Sequence, residues 1–440
     1  MGKLVELLSH PGELRSVIQL KYFREESNPV GKGLRGPDLI RCYELLNLTS
    51  RSFAAVIQEL NLELRDAIMI FYLVLRALDT VEDDMTIDPK IKIPLLRGFA
   101  NKLKLPSWSF DGSGPNEKDR AVLVEFDVIL REYKKLKPTY QDIVSDMANQ
   151  MGNGMADYIL DESFNANGVN TVKDYDLYCW YVAGLVGKGL TLLMGEAEFC
   201  DPAALNDDFA MSTSMGLFLQ KTNIIRDYHE DLEDGRSFWP KEIWSKHTDR
   251  LYAFHEDPSQ QAAGLACINE LVLNALGHVK DVLSYLSLVK DPSCFNFCAI
   301  PQVMAVATLA TVYNNPDVLH KVVKIRKGTT CSLILNSRTL PDVAKIFRHY
   351  IQVINHKSDV NDPNYLKIGI KCGEIEQFIE LMYPSDTEHQ KQPKQINKYI
   401  EAREDLDKQV GALVTEETLR CNTALVGVGI VFFGVILYLL

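Results

Sequence analysis

The sequence predicts an all-α protein. No segment shows the alternation of apolar and polar residues that is typical of a strand, and apolar residues recur at helical spacing instead. Two long apolar runs, residues 69–78 and 215–225, each end in a group of acidic residues, as expected of two buried helices that reach a polar site. With 440 residues, of which 46% are hydrophobic, the chain is long enough for one large helical domain.

Gly and Pro residues divide the predicted helices. One helix is predicted to begin after Pro37 and to end near Ser50, and the next begins near Leu64 and carries the first acidic group. Small residues within 147–156 would let a neighbouring helix or a substrate approach closely. The remaining helices are predicted at 93–103, 118–136, 138–160, 172–198, from about 207, and at 261–290.

Residues 293–313 form a charge-free stretch that is long enough to cross a membrane. We interpret it as a core helix, because Asn296, Pro301 and Gln302 interrupt its apolar character. A span here would also place the basic segment 321–327 across the membrane from the acidic groups.

The C-terminal end predicts a membrane anchor. Residues 423–440 carry no charge and are close to the length of a transmembrane helix, with Arg420 just before them. Such a helix would be inserted after synthesis as a tail anchor, leaving the rest of the chain in the cytosol. The predicted units are an N-terminal arm (1–37), a helical domain (38–370), a linker with a charged helical stretch (371–420) and the anchor (421–440).

Charge and cysteine content exclude some classes of function. The formal net charge is −12 and the pI is about 5.3, which argues against binding to nucleic acid. The nine cysteines include no CxxC pair, which indicates reduced thiols in the cytosol. Cys294 and Cys298 lie one helical turn apart, but their apolar surroundings favour core residues over metal ligands.

The two acidic groups share the pattern Asp-x-x-Glu-Asp. We call them the acidic pentads; their acids are Asp79, Glu82 and Asp83, and Asp227, Glu230 and Asp231. On a helix, residues three and four apart share a face, and like charges at that spacing weaken the helix by roughly a few tenths of a kcal/mol per pair. A solvated acidic face is the alternative, and it fits poorly after two apolar runs. Carboxylates in this number suit Mg²⁺, which proteins hold with a few carboxylates together with substrate phosphates.

An arginine adjoins each pentad. Arg76 and Arg226 carry the planar guanidinium that suits a diphosphate. A site that holds Mg²⁺ and diphosphate between apolar walls is one that ionises an allylic diphosphate.

Together with four further blocks, the pentads resemble the squalene synthases, the farnesyl-diphosphate farnesyltransferases of the squalene/phytoene synthase family. The likeness covers roughly residues 38–335, and the blocks are 50–57 (SRSFAAVI), 181–187 (YVAGLVG), 220–227 (QKTNIIRD) and 297–302 (FCAIPQ). The resemblance implies a single-domain isoprenoid-synthase helical fold around a central cavity. It also implies that two farnesyl diphosphates are joined head to head to presqualene diphosphate, which NADPH then reduces to squalene in sterol biosynthesis.

The resemblance also implies roles for individual residues. Mg²⁺ would be held by the six pentad acids, and Tyr181, Phe297 and Arg76 would be catalytic. The diphosphates would be bound by Ser50, Arg51, Ser52, Gln220, Asn223 and Arg236, and NADPH by Arg51, Arg76, Arg226, Lys324 and Arg326. No G-x-G-x-x-G opens a helix in a βαβ setting, so a Rossmann site is not predicted.

Two of these residues have a plainer alternative. A buried Tyr181 is more often a core residue, and Phe297, with Phe295 near it, either faces a carbocation through its ring or simply packs in the core. The resemblance further implies a monomeric catalytic domain in the cytosol, tethered to the endoplasmic reticulum membrane.

Two alternative functions stay open. A phytoene-type or dehydrosqualene-type synthase would share both pentads and the first half-reaction but would need no NADPH. A membrane-tethered scaffold that binds prenyl lipids without turnover is the other alternative. It would need no cation, so nothing would offset the mutual repulsion of the pentad carboxylates. The basic segment 321–327, the block at Phe297 and the C-terminal anchor favour the reductive enzyme.

Overall fold

The computed structural model describes residues 9–25, 36–160, 168–384 and 398–439. These residues contain no β-sheet, and one isolated antiparallel bridge joins Cys200 and Val289. The predicted all-α fold is confirmed. The α-helices are α1 (Pro11–Tyr22), α2 (Pro37–Thr49), α3 (Arg51–Gln58), α4 (Leu62–Asp83), α5 (Pro89–Arg97), α6 (Phe99–Lys102), α7 (Arg120–Val124), α8 (Phe126–Tyr133), α9 (Pro138–Leu160), α10 (Val172–Cys179), α11 (Leu185–Glu196), α12 (Ala210–Arg226), α13 (Tyr228–Glu233), α14 (Lys241–Trp244), α15 (Ala253–Glu256), α16 (Gln261–Leu276), α17 (Val279–Leu288), α18 (Pro292–Val312), α19 (Lys327–Leu335), α20 (Leu340–His356), α21 (Tyr365–Met382) and α22 (Lys398–Leu439).

Helices α4 and α12, which lead to the two pentads, lie in the core. Most of the residues of α4 from Leu64 to Val81 are buried, and the helix begins where the side chain of Asn61 accepts a hydrogen bond from the amide of Glu63. Helix α12 packs against α16, α17 and α18. Both pentads therefore stand on elements that the core holds in place.

Helix α18 contains the charge-free stretch that we interpreted as part of the core. The side chain of Asp291 caps it by accepting hydrogen bonds from the amides of Ser293 and Cys294. Among the residues that the structure fully describes, three helical stretches are long and apolar enough to cross a membrane, and 83% of the apolar 18-residue window in Pro292–Val312 is buried inside the protein. The other two, Val172–Glu196 and Pro258–Leu288, are 44% and 56% buried. The structure thus packs α18 as a core helix, and Cys294 and Cys298 are buried in it.

Several predicted helices are interrupted; those at 93–103 and 261–290 break at Gly98 and at residues 277–278. The segment predicted at 118–136 forms α7 and α8 with a break at Glu125, and the one predicted at 172–198 contains a π-helical turn, Trp180–Gly184, between α10 and α11. A π turn inserts an extra residue into the helix and is often found at functional sites. Hydrophobic periodicity does not reveal such local changes of helical pitch.

The last two helices extend the packed structure beyond residue 370. Helix α21 crosses that residue and buries Ile375, Ile379 and Met382 in the common core. Helix α22 runs from the charged stretch into the charge-free tail without a break. Its neighbours include α17 and α1.

Candidate active site

The first pentad occupies the last turn of α4. Asp79 is half-buried, and Asp83 is exposed at the end of the helix. The next residue, Asp84, is buried and accepts hydrogen bonds from the amides of Thr86 (2.9 Å) and Gly114 (2.8 Å). Asp84 therefore fixes the loop that follows the helix.

The second pentad does not lie on one regular helix, contrary to the arrangement that its spacing predicts. Helix α12 ends at Arg226 and α13 begins at Tyr228, so Asp227 stands at the junction. The amide of Asp231 still donates to the carbonyl of Asp227 at 2.9 Å, which keeps the acids on one turn. Arg226 binds the carboxylate of Asp227 through two hydrogen bonds, of 2.7 and 2.6 Å.

Arg236 joins the two pentads. Its guanidinium lies 2.6 Å from Asp83 of the first pentad and 3.5 Å from Asp231 of the second. Asp234 lies 3.3 Å from the same group. Two acidic groups that are almost 150 residues apart in sequence thus meet at one guanidinium group, that of Arg236.

Three of the pentad acids, Asp79, Glu82 and Asp231, are held in a setting that disfavours their ionised form. Burial raises the pKa of Asp79 to about 7, with Asp83 and Asp119 adding to the effect and Arg76 opposing it. Burial likewise raises the pKa of Asp231 to about 7, and burial with the neighbouring Asp83 and Asp79 raises the pKa of Glu82. A divalent cation would relieve this cost, so the donor set, which consists of carboxylate oxygens alone, fits Mg²⁺. In the described ranges, no three Asp, Glu, His or Cys side chains are already arranged as a metal site.

A cavity of about 280 Å³ opens beside the first pentad. Asp79 and Arg76 line its polar end, with Gln220 and Asn223 contributed by α12. Phe297 lines the apolar part, whereas Phe295 packs on the other side of α18 beneath the guanidinium of Arg403, 4.3 Å from its ring centre. Most of the remaining wall is aliphatic or aromatic, including Phe53, Ile57, Ile68, Phe71, Leu75, Val182, Val186, Leu190, Met215 and Leu219.

A second cavity, of about 330 Å³, adjoins the first. The two share Phe53, Leu219, Asn223 and Pro301 in their walls. Arg226 and Lys324 line the second cavity.

Two further predicted residues, Arg326 and Ser50, have other contacts. Arg326 donates to Glu13 at 2.8 Å and is not among the residues that line either cavity. The hydroxyl of Ser50 accepts a long hydrogen bond, 3.4 Å, from the amide of Phe53 and so caps α3. The side chains of Arg51 and Ser52 lie outside the described residues.

Tyr181 lies on the π turn and is not among the residues that line the cavities. Its ring packs against Trp180 and Tyr158, with ring centres 4.9 and 6.1 Å away. The ring also lies over Gly154 of α9, where an added Cβ would stand 2.1 Å from the Tyr181 Cδ1 atom. The small residues predicted to allow close approach therefore make room for Tyr181.

Gly154→Ala is expected to lower the free energy of unfolding by about 1–3 kcal/mol, because the added methyl group displaces the Tyr181 ring. Thermal or denaturant unfolding measures the change. Gly373→Ala is the matched control: it lies in α21, where an added Cβ meets nothing within 4 Å, and it should stabilise the protein by up to about 1 kcal/mol. Equal stability of the two variants would contradict the close contact between Gly154 and Tyr181.

Two charged residues at the site were not predicted from the sequence. Asp119 lies 3.8 Å from Arg76, and Lys92 donates to the carbonyl of Glu82 at 2.7 Å. Both are buried, so they help to fix the end of α4 and its arginine. They come from segments with no distinctive spacing, and no signal in the sequence connects them with the pentads.

Comparisons with known proteins show which proteins this chain resembles. A family model described as squalene/phytoene synthase matches residues 46–329. The chain is 64% identical to a squalene synthase of Candida albicans over an alignment of 447 positions that covers 100% of both chains. It is 55% identical to a squalene synthase of Saccharomyces cerevisiae over 404 positions, or 92% of this chain and 90% of that one. A solved structure described as a complex of TcSQS with the ligand E5700 is 44% identical, with a TM-score of 0.74, over 78% of this chain and 98% of the other.

Proposed function

The chain belongs to the squalene/phytoene synthase family, and on that premise we propose that it is a squalene synthase. It joins two molecules of farnesyl diphosphate head to head to presqualene diphosphate and then reduces this intermediate with NADPH to squalene. The observation that carries the proposal is the meeting of both pentads at Arg236, beside a cavity with apolar walls. Such a site suits a substrate with a diphosphate at one end and a hydrocarbon chain at the other.

The residues of the cavity account for the first half-reaction. Mg²⁺ held by the six pentad acids would neutralise the charge that develops on the departing diphosphate. Arg76, Gln220 and Asn223 line the same polar end and would donate hydrogen bonds to that group. The apolar walls would exclude water from the carbocation, and the ring of Phe297 would face it. Tyr181, which lies on the π turn and not in the cavity walls, would take part in removing the proton that closes the cyclopropane.

The reductive step would use the second cavity. Lys324 and Arg226 would bind a phosphate of NADPH there, next to the wall shared with the first cavity. NADPH would supply a hydride to the carbocation that forms from presqualene diphosphate. Arg326 would have to leave Glu13 to join them.

We further propose that α22 anchors the protein in the endoplasmic reticulum membrane, with a monomeric catalytic domain in the cytosol. The support is the continuity of α22 with the charge-free residues 423–439. The proposed units are those of the sequence analysis, and the burial of Ile375, Ile379 and Met382 in the common core supports extending the catalytic domain beyond residue 370.

Product analysis tests the proposed reaction. The full-length protein in detergent micelles, given farnesyl diphosphate and Mg²⁺, should accumulate presqualene diphosphate, and squalene should form only when NADPH is added. Omission of Mg²⁺ is the control and should abolish both products. A product of the same length with an extra double bond, formed equally with and without NADPH, would instead indicate a non-reductive dehydrosqualene-type synthase.

A further inference from the structure

The first part of α22 is packed on the catalytic domain along one face. Ile400, Arg403, Asp407, Glu417 and Cys421 are buried, and their spacing places them on the same side of the helix. The helix has 42 residues and is about 63 Å long, of which about 37 Å precedes the charge-free residues. The tail is therefore continuous with a segment that the domain holds.

A buried ion pair fixes this helix in one position. Arg338 lies 2.6 Å from Glu417, and their side chains are 5% and 1% exposed. The second carboxylate oxygen of Glu417 accepts the amide of Glu25 at 3.0 Å. A charge pair this deeply buried is stable only in the geometry that satisfies it, so it disfavours rotation or sliding of α22.

Helix α1 lies antiparallel to the end of this packed segment. Gln19 donates to Thr418 at 2.9 Å, and Arg15 donates to Asn422 at 2.9 Å. Residues earlier in α1 thus pair with residues later in α22, which makes the two helices antiparallel. The first turn of α1, Pro11–Leu14, therefore stands level with the first turn of the charge-free tail.

The same turn of α1 holds the basic segment 321–327. Arg326 and Thr329 both bond the carboxylate of Glu13, and Gly328 allows the two backbones to approach, since an added Cβ would stand 2.3 Å from the Cβ of Glu13. The segment has four basic residues and no acidic one, in a chain whose net charge is −12. Lys321 and Lys327 are exposed.

We propose that α1, the packed part of α22 and the Arg338–Glu417 pair form a clamp that holds the catalytic domain in one orientation, with the first turn of α1 and the basic segment 321–327 against anionic lipid headgroups. This rests on the proposed anchoring of the tail. The charge fits the partner, because basic residues beside a transmembrane helix are attracted to anionic lipid. The rim of the second cavity, which includes Lys324, then lies on the membrane side.

Hydrogen exchange on vesicles tests the clamp. The full-length protein is reconstituted in vesicles of about three parts phosphatidylcholine to one part phosphatidylserine and compared with the protein in neutral detergent. Amides in Pro11–Tyr22 and in residues 321–335 are expected to exchange roughly fivefold more slowly on the vesicles. Amides in Pro89–Arg97, which lies outside the clamp, should exchange at the same rate in both.

A matched variant separates the clamp from simple attachment. A Gly/Ser insertion of about six residues between Asn422 and Thr423 leaves every contact of the clamp in place but makes the connection to the tail flexible. This variant should float with the vesicles and lose the slower exchange. Slower exchange that survives the insertion would overturn the clamp, because the domain would then dock without it.

The remaining outcomes separate this inference from the proposals on which it rests. If the unaltered protein floats and shows no slower exchange, the orientation is wrong and the anchoring stands. If it does not float, the anchoring fails and the clamp's role fails with it. Squalene formation, measured on the same vesicles, reports on the proposed reaction independently of either result.

Discussion

Asp79→Asn is expected to lower kcat by about a thousandfold without loss of helical circular-dichroism signal. The carboxylate lines the cavity beside Arg76, and removing it would take a ligand from the proposed Mg²⁺, which would neutralise the departing diphosphate. A loss of several kcal/mol in the transition state corresponds to about three powers of ten in rate. Steady-state turnover of farnesyl diphosphate measures the effect.

The pH dependence of stability distinguishes this variant from one that is merely unfolded. Burial raises the pKa of Asp79 to about 7. In the cation-free protein, ionisation of this carboxyl group therefore lowers the stability of the fold as the pH rises from the ordinary pKa of an aspartate to about 7. The amide of Asn cannot ionise, and the variant should therefore be at least as stable as the unaltered protein at pH 8. Glu233→Gln, whose side chain is 64% exposed on α13, is the control and should leave turnover unchanged. Full activity of Asp79→Asn would contradict the assignment of the metal ligands.

Lys221→Met is expected to lower the free energy of unfolding by about 3 kcal/mol. Lys221 is 1% exposed, and its ammonium group lies 2.6 Å from Asp176 and 2.6 Å from the side-chain oxygen of Asn274. It also lies 2.9 Å from Nε2 of His278, whose pKa falls to about 3 because of burial and the charge of Lys221. Methionine keeps the packing of the side chain but leaves these partners without their donor. Denaturant unfolding measures the loss.

The expected loss concerns stability rather than catalysis. Lys221 follows Gln220 in sequence, yet it is not among the residues that line either cavity. The kcat of the folded fraction at low temperature should therefore change little. Lys345→Met, at a 76% exposed side chain with one surface ion pair, is the control and should cost less than about 1 kcal/mol. A large fall in kcat with stability unchanged would mean instead that Lys221 acts on the substrate.

The fold followed from the sequence wherever hydrophobic periodicity was strong. Helices α4, α9, α12 and α18 lie where apolar spacing predicts them, and α18 is buried as its polar interruptions indicate. The π turn at Tyr181 and the break at Asp227 did not follow, because both are local changes of the helical backbone that tertiary packing selects. Residues 371–382 were interpreted as part of a linker, whereas the structure shows them packed as a helix.

The candidate site could be predicted in part. Spacing identified the pentad acids, and the resemblance supplied Arg236, but neither indicated that Arg236 would join Asp83 to Asp231. Lys92 and Asp119 reach the site from segments distant in sequence, and Lys221 lies within a quoted block although its contacts are structural. Contacts of this kind depend on how helices pack, which the pattern within one helix does not encode.

On the proposed function, the two pentads together bind one assembly of magnesium and diphosphate. Calorimetric titration of inorganic pyrophosphate into the full-length protein, with and without Mg²⁺, tests it most directly. Binding should require Mg²⁺ and should weaken at least about tenfold in both Asp79→Asn and Asp231→Asn, one variant in each pentad. Binding that is as tight without Mg²⁺, or that is affected in only one of the two variants, would contradict the claim.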